Sequence, residues 1–276
     1  MKKYITITVE AAPEKKEIIA ALLMDAGFLG TDDSGDRLTA SIGKDDFNQE
    51  AIGALLKEQD ATMKLQEVEE QNWNEQWEQS FEPVEVEDFA VIRASFHAPV
   101  EGFEHEIIIT PKMSFGTGHH ATTHLVIAAM RQLDFAGKKV IDFGTGTAVL
   151  AILAEKLGAA EIIAIDNDEW SINNSLENVE ANNCNKIQTL LANEMPAGEA
   201  TDIILANINY NVIIANLPAI RQRLTNGGFA LFSGLLSSDE VSMTEALQAH
   251  GFQVKKVDTR NGWIAILTSI TDYPQS

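Results

Sequence analysis

A chain of 276 residues with 45% hydrophobic content is long enough to bury a substantial core, and its formal charge of −21, from 41 acidic against 20 basic side chains, disfavours a nucleic-acid partner and favours a basic one. Its single cysteine, Cys184, excludes an internal disulfide and any multi-cysteine metal cluster. No run approaches the ~20 apolar residues of a membrane span, and residues 1–10, MKKYITITVE, alternate like a strand instead of carrying the apolar segment of a secretory signal, so a cytoplasmic protein is expected.

Residues 1–66 read as a small α+β domain. Residues 4–9 alternate as a strand, 13–26 form a helix ending at Gly27, and 28–42 give two strands around a turn at 32–36. A helix over 46–59 and a strand over 62–68 complete the order β-α-β-β-α-β of a ferredoxin-like fold. Nothing in this domain has the titratable residues of a catalytic site, so it is expected to recognise a substrate. Residues 67–90 read as an acidic linker helix: 67–88 hold nine carboxylates and no Lys or Arg, and Trp73, Trp77 and Phe81 fall on one helical face. The acidic flank suits a basic protein.

From residue 91 to 276 the pattern is that of one larger domain. Short strands at 84–86, 89–96 and 106–110 lead into Ser114-Phe115-Gly116-Thr117-Gly118-His119-His120-Ala121-Thr122-Thr123, before a helix over 125–133 capped by Thr122 or Thr123. Two glycines, four hydroxyl residues, an aromatic ring and two histidines suit a loop that closes over a ligand. Adjacent His119 and His120 lack the i, i+4 spacing of helical metal ligands, so no metal is expected.

Residues 139–166 carry the central motif. A buried strand ends at Asp142, Gly144 and Gly146 make a tight turn, a helix follows over 148–157, and a second strand ends at Asp166. The glycines let a ligand approach the backbone, and Asp166 can accept both hydroxyls of a ribose. A dinucleotide fingerprint would place a third glycine where Val149 stands. Asp142 would repel a pyrophosphate but could take an ammonium, which favours S-adenosylmethionine over NAD.

Beyond Asp166 the doubly wound pattern continues, with helices over 170–182, 212–224 and 241–249 and strands over 187–192, 202–206 and 229–233. The helix ending at 224 is expected to stop at Asn226-Gly227-Gly228. Strands over 253–258 and 263–269 close an antiparallel hairpin through Asn261-Gly262. A parallel sheet finished by such a hairpin is the Rossmann-like class I methyltransferase arrangement. Asn207-Ile208-Asn209-Tyr210 lies at a strand end where ligands bind in open α/β sheets, and its N-x-x-Y spacing is similar to the Asn-Pro-Pro-Tyr loop of amino-group methyltransferases without its prolines. The amide carbonyl of Asn207 is the candidate catalytic group, because it can accept a hydrogen bond from an attacking amine.

With these motifs placed, the chain resembles the bacterial ribosomal protein L11 methyltransferases over nearly its whole length. The Phe115-Gly116-Thr117-Gly118 loop running to Thr122-Thr123 is the specific part, joined by the Asp142 glycine turn, Asp166, Ala206-Asn207-Ile208 and Ser233-Gly234-Leu235. The resemblance implies methyl transfer from S-adenosylmethionine to lysine and N-terminal amines of a basic ribosomal protein, which the front domain recognises. It also implies cofactor contacts at Thr123, Gly144, Asp166 and Asn207, with Phe115 and His120 as loop contacts beside Asp142 and Gly146. Two departures stand out: Ala148 where many members have a third glycine, and Ala121 in place of a frequent proline. Methylation of a glutamine side chain or a nucleobase, or cofactor binding without catalysis, are the alternatives the residues leave open.

Overall fold

The computed structural model describes residues 3–32, 38–69, 82–111 and 118–270, and the chain divides between residues 80 and 81 into two units. In the first, β1 (Lys3–Glu10), α1 (Pro13–Asp25), β2 (Gly30–Asp32), β3 (Leu38–Gly43), α2 (Gln49–Glu58) and β4 (Thr62–Glu69) follow the expected order. The sheet runs β2-β3-β1-β4 with every neighbouring pair antiparallel. β3 therefore separates β1 from its parallel partner β2, and β1 separates β3 from β4, which makes two split βαβ units and the ferredoxin-like fold. Period-two alternation turns Ile5, Ile7 and Val9 of β1 and Leu38, Ala40 and Ile42 of β3 inward, where they meet Ile19 and Leu23 of α1 and Ile52 and Leu56 of α2.

Two boundaries differ from expectation. The second helix does not start at Asp46: Lys44–Asp46 is a separate 3₁₀ turn, and α2 begins after Asn48, whose side chain accepts from the Glu50 and Ala51 amides. The strand expected over 62–68 runs one residue further, to Glu69, so it and not the linker helix occupies the overlap of the two expectations. The aromatic stripe of Trp73, Trp77 and Phe81 lies outside the described residues.

The second unit holds β5 (Val84–Val86), β6 (Ala90–Ala94), β7 (His105–Ile109), α3 (Ala121–Met130), β8 (Lys139–Phe143), α4 (Val149–Lys156), β9 (Glu161–Asp166), α5 (Glu169–Ala181), β10 (Ile187–Leu191), β11 (Thr201–Asn207), α6 (Tyr210–Arg223), β12 (Leu224–Leu236), α7 (Glu240–Ala249), β13 (Phe252–Arg260) and β14 (Trp263–Ile270). Its main sheet runs β10-β9-β8-β11-β12-β14-β13. The first five strands are parallel, and β14 is inserted antiparallel between β12 and β13. Asn261 and Gly262, both at positive φ (50° and 79°), form the two-residue turn that suits such a hairpin.

The central strands are apolar on both faces because helices cover both. Val140, Ile203 and Leu205 face the side of α3, α4 and α5, while Ile141, Ile204 and Ala206 face α6 and α7. The three-stranded sheet β5-β6-β7 adds Val86, Ile92, Ile107 and Ile109 to the first of these layers. One strand is longer than expected: the chain leaves α6 directly into β12, with Leu224 opposite Thr201, so the glycines at 227 and 228 interrupt a strand and do not separate a helix from one. Among the described residues no helix is long and apolar enough to cross a membrane.

The strand order reverses between β8 and β11. That switch point places the carboxyl ends of β8, β9 and β11 around one crevice.

Candidate active site

The turn from β8 to α4 is built from left-handed residues at alternate positions: Gly144 (φ 80°), Gly146 (56°) and Ala148 (62°). Only glycine adopts this region freely, so Ala148 carries about 1 kcal/mol of strain that a glycine would not. The turn is bolted to the next strand. The Ile165 carbonyl accepts from the Gly144 and Thr145 amides at 2.8 Å each, and Asp166 Oδ2 accepts from Gly146 N at 2.9 Å.

Ala148 is also the N-cap of α4 and has no side-chain acceptor to offer it. Asp142 takes over that role from the preceding strand, its Oδ2 accepting from Ala151 N at 3.2 Å and from the Thr145 hydroxyl at 2.7 Å. The carboxyl group is fully buried and its Oδ1 has no partner. Burial outweighs the two hydrogen bonds and pushes the pKa up to about 7, with the nearby charge of Asp166 acting in the same direction.

In front of the turn lies a cavity of about 410 Å³, walled by Gly144 after β8, Asp166 and Asn167 after β9, Ala192 and Asn193 after β10, Asn207 and Ile208 after β11, and His120, Gly234 and Trp263. Asn207 ends β11 and is 7% exposed. Its Nδ2 donates to Thr123 Oγ1 at 3.5 Å, while its Oδ1 is buried with no partner among the described residues. Thr123 thus stands behind Asn207 and outside the cavity wall. His120 caps α3, faces the Thr122 hydroxyl through Nδ1 at 2.8 Å, and meets the edge of Trp263 at a centroid distance of 4.5 Å.

Ile208 is wedged between two glycines. A Cβ added at Gly144 would overlap Ile208 Cγ2, and one added at Gly234 would overlap the Ile208 carbonyl. The Ile208 amide in turn donates to the Ser233 carbonyl at 3.1 Å, so the end of β11 is clamped to the end of β12.

Of the residues expected from sequence, the structure gathers His120, Gly144, Asp166 and Asn207 on the cavity wall. Thr123, Asp142 and Gly146 lie one layer back, holding that wall in place, and Phe115 lies outside the described residues. The expected helix over 125–133 starts earlier, at Ala121, because His120 and not a threonine supplies the cap. The N-x-x-Y loop also resolves differently: Asn209 caps α6 by accepting from Val212 N, and Tyr210 packs on the core below it. Asn167 follows β9 directly and Asn193 lies two residues past β10, and the strand-end rule alone could have found them. Ile208 was in view only as part of a motif, and no local signal marked Trp263, which arrives from the far hairpin.

Two outcomes follow from this geometry. Gly234→Ala must displace backbone and should cost more than about 3 kcal/mol, whereas Gly227→Ala, at a similar φ of 76° with nothing within 4 Å, should cost about 1 kcal/mol. Denaturant unfolding of the two variants checks this, and equal losses would mean that Ile208 yields.

The second concerns pH. Below about pH 4 the Asp142 carboxyl is protonated in folded and unfolded chains alike. As pH rises the unfolded chain releases its proton first, so stability falls until the folded-state value near 7 is passed. Asp142→Asn removes this loss. Relative to the parent, the ligand-free variant should gain about 2 kcal/mol between about pH 5.5 and about pH 8.5, and a pH-independent difference would refute the shift.

A family model described as ribosomal protein L11 methyltransferase matches residues 5–270. The protein of that name from Phocaeicola vulgatus is 34% identical over 96% of this chain and 98% of its own. The one from Porphyromonas gingivalis is 41% identical over 71% of this chain and 68% of its own. Among solved structures, the ribosomal protein L11 methylase of Lactobacillus delbrueckii subsp. bulgaricus is similar with a TM-score of 0.65 at 25% identity, over 70% of this chain and 100% of that one. A match of that extent, on a chain whose cavity sits at the switch point of a doubly wound sheet, is decisive: the chain belongs to the ribosomal protein L11 methyltransferase family.

Proposed function

We propose that the protein methylates amino groups of ribosomal protein L11, both lysine side chains and the N-terminal amine, with S-adenosylmethionine as donor, in the cytoplasm. The observation that carries this reading is the Oδ1 of Asn207, a residue of the cavity wall, which is buried with no partner among the described residues. Leaving a carbonyl unsatisfied is costly unless a ligand completes it, and an amine N–H does so while aiming its lone pair. The cavity volume falls in the range of nucleoside-sized pockets, and the residues present suit the donor. Asp166 would hold the ribose, since each carboxylate oxygen keeps a lone pair after accepting from Gly146 and Asp168. The Gly144 turn would take the methionine end, with His120 and Trp263 walling the far side. Bound there, S-adenosylmethionine supplies a methyl group already activated on a sulfonium centre.

No nucleophilic side chain is then needed, but the acceptor amine must be neutral. A free lysine titrates near 10.4, and desolvation lowers that value while an adjacent carboxylate raises it. Asp166 is the one carboxylate on the described cavity wall. It ends β9, Asn207 ends β11, and β8 runs between them, which separates the two by roughly 10 Å. Asn207 therefore orients the amine away from the one carboxylate on the described wall. With Tyr210 half-buried against the core and both prolines of the Asn-Pro-Pro-Tyr loop missing, the loop suits a glutamine amide or a base less well.

The rest of the substrate is proposed to dock on residues 1–66 and the acidic linker. A charge of −21 attracts a basic protein and repels RNA, so direct nucleic-acid binding is no part of the reading.

Transfer of tritiated methyl groups to a mixture of ribosomal proteins tests the proposal. Label should appear on L11 alone and vanish in Asp166→Ala, while Asn207→Ala should lower kcat about 100-fold. Label on RNA or on another protein would reassign the substrate, and cofactor binding without transfer would leave a binding module. Full kcat with unchanged cofactor affinity in Asn207→Ala would remove Asn207 from the chemistry.

A further inference from the structure

Asparagine is a poor residue for the interior of a helix, and a buried amide is costly unless it is hydrogen bonded. Yet Asn178 on α5 is fully buried, and Asn182, one turn later at the C-cap, lies on the same face. Both face β7, an edge strand of the three-stranded sheet. Asn182 pairs with Ile108 as a neighbouring strand would, accepting from its N–H at 3.0 Å and donating to its carbonyl at 2.6 Å. Asn178 accepts from Thr110 N at 2.7 Å. Four residues of helix advance ~6 Å and two residues of strand ~6.6 Å, so the two amides stay in step with β7.

Asn178 does one thing that Asn182 does not. Its Nδ2 donates to the Thr147 carbonyl at 2.9 Å, inside the glycine turn. The peptide plane between Thr147 and Ala148 sets the φ of Ala148, the strained left-handed residue of that turn. A strained peptide relaxes by rotating, and the Asn178 amide, bonded to that carbonyl, resists the rotation.

We propose that Asn178 is a positioning residue for the methyl donor. It does not touch the cavity; it keeps the 144–148 turn in its binding shape through Thr147, and the demand is acute in this chain because Ala148 is not glycine. The proposal rests on the reading that the cavity holds S-adenosylmethionine.

Calorimetric titration with S-adenosylmethionine separates this role from a structural one. Asn178→Ala and Asn182→Ala both strip hydrogen bonds from the edge of β7, so both should lower thermal stability. Only Asn178→Ala should weaken S-adenosylmethionine binding, by about tenfold or more, with kcat at saturating donor and KM for the protein substrate within about threefold of the parent. Adding Ala148→Gly removes the strain, so the Asn178→Ala/Ala148→Gly protein should bind the donor within about threefold of Ala148→Gly alone. This pair also serves as the test if Asn178→Ala by itself does not fold. Equal weakening in the Asn178 and Asn182 variants, weakening in neither, or a tenfold deficit that persists in the Ala148→Gly background would overturn the proposal. Failure of the parent protein to bind S-adenosylmethionine would instead refute the underlying reading of the cavity.

Discussion

A turn held largely from outside is the constraint on which the site depends. Residues 144–148 alternate into the left-handed region, and the helix that follows starts at an alanine with no side chain to cap it. One hydrogen bond lies within the turn, from Ala148 N to the Thr145 carbonyl at 2.9 Å, and the others come from outside it: Asp142 caps α4 from β8, Ile165 and Asp166 tie the amides to β9, and Asn178 ties the Thr147 carbonyl to α5. Correct pairing of β8 with β9 is thus a precondition of the cavity. The same residues that would meet the donor also assemble the wall that receives it, Asp166 being the clearest case.

The acidic character of the protein divides into parts with different consequences. Asp142 is locked away and titrates near neutrality, whereas Asp166 faces the cavity with both oxygens already anchored by backbone amides. On the surface, Arg131 draws Glu87, Asp88 and Glu104 together and lies over the Phe89 ring at 5.3 Å, which ties the β5–β6 turn and the start of β7 to the end of α3. Exposed pairs of this kind contribute little to stability individually. The net charge of −21 acts at long range and would attract a basic partner. The part of the cavity around Asn207, proposed as the acceptor end, is by contrast lined with amides and apolar groups, which would suit a neutral amine.

How much of this was legible depends on whether the signal is local. The β8-α4-β9 unit was readable because hydrophobic period, glycines and strand-end carboxylates all fall within one short stretch, and the ferredoxin-like order was readable from alternation and turns alone. Thr123, Asp142 and Gly146 were legible as important but not as to layer, since a sequence does not say whether a carboxylate points into a cavity or under a helix. The α2 start was missed because Asp46 and Asn48 are both good caps, and only the backbone decides between them. Trp263 was invisible for a different reason: β14 is inserted beside β12, and that topology alone carries its first residue to the cavity rim.

The glycines illustrate how a correct observation can carry an incomplete cause. Gly144 reads as a place where a ligand approaches the backbone, and its position on the cavity wall agrees with that. The structure adds a second demand, because the space over its Cα is already filled by Ile208, whose carbonyl also sits against Gly234. Two glycines from separate strand ends therefore serve one isoleucine, and that isoleucine follows Asn207 directly. An amide that has to aim a lone pair needs a backbone that does not shift by even an ångström. With Ile208 wedged between the ends of β8 and β12 and its amide held by Ser233, the residue before it has little freedom to move. On the proposed role of Asn207, the glycines would matter through the rigidity they permit there as much as through the approach they would allow a ligand.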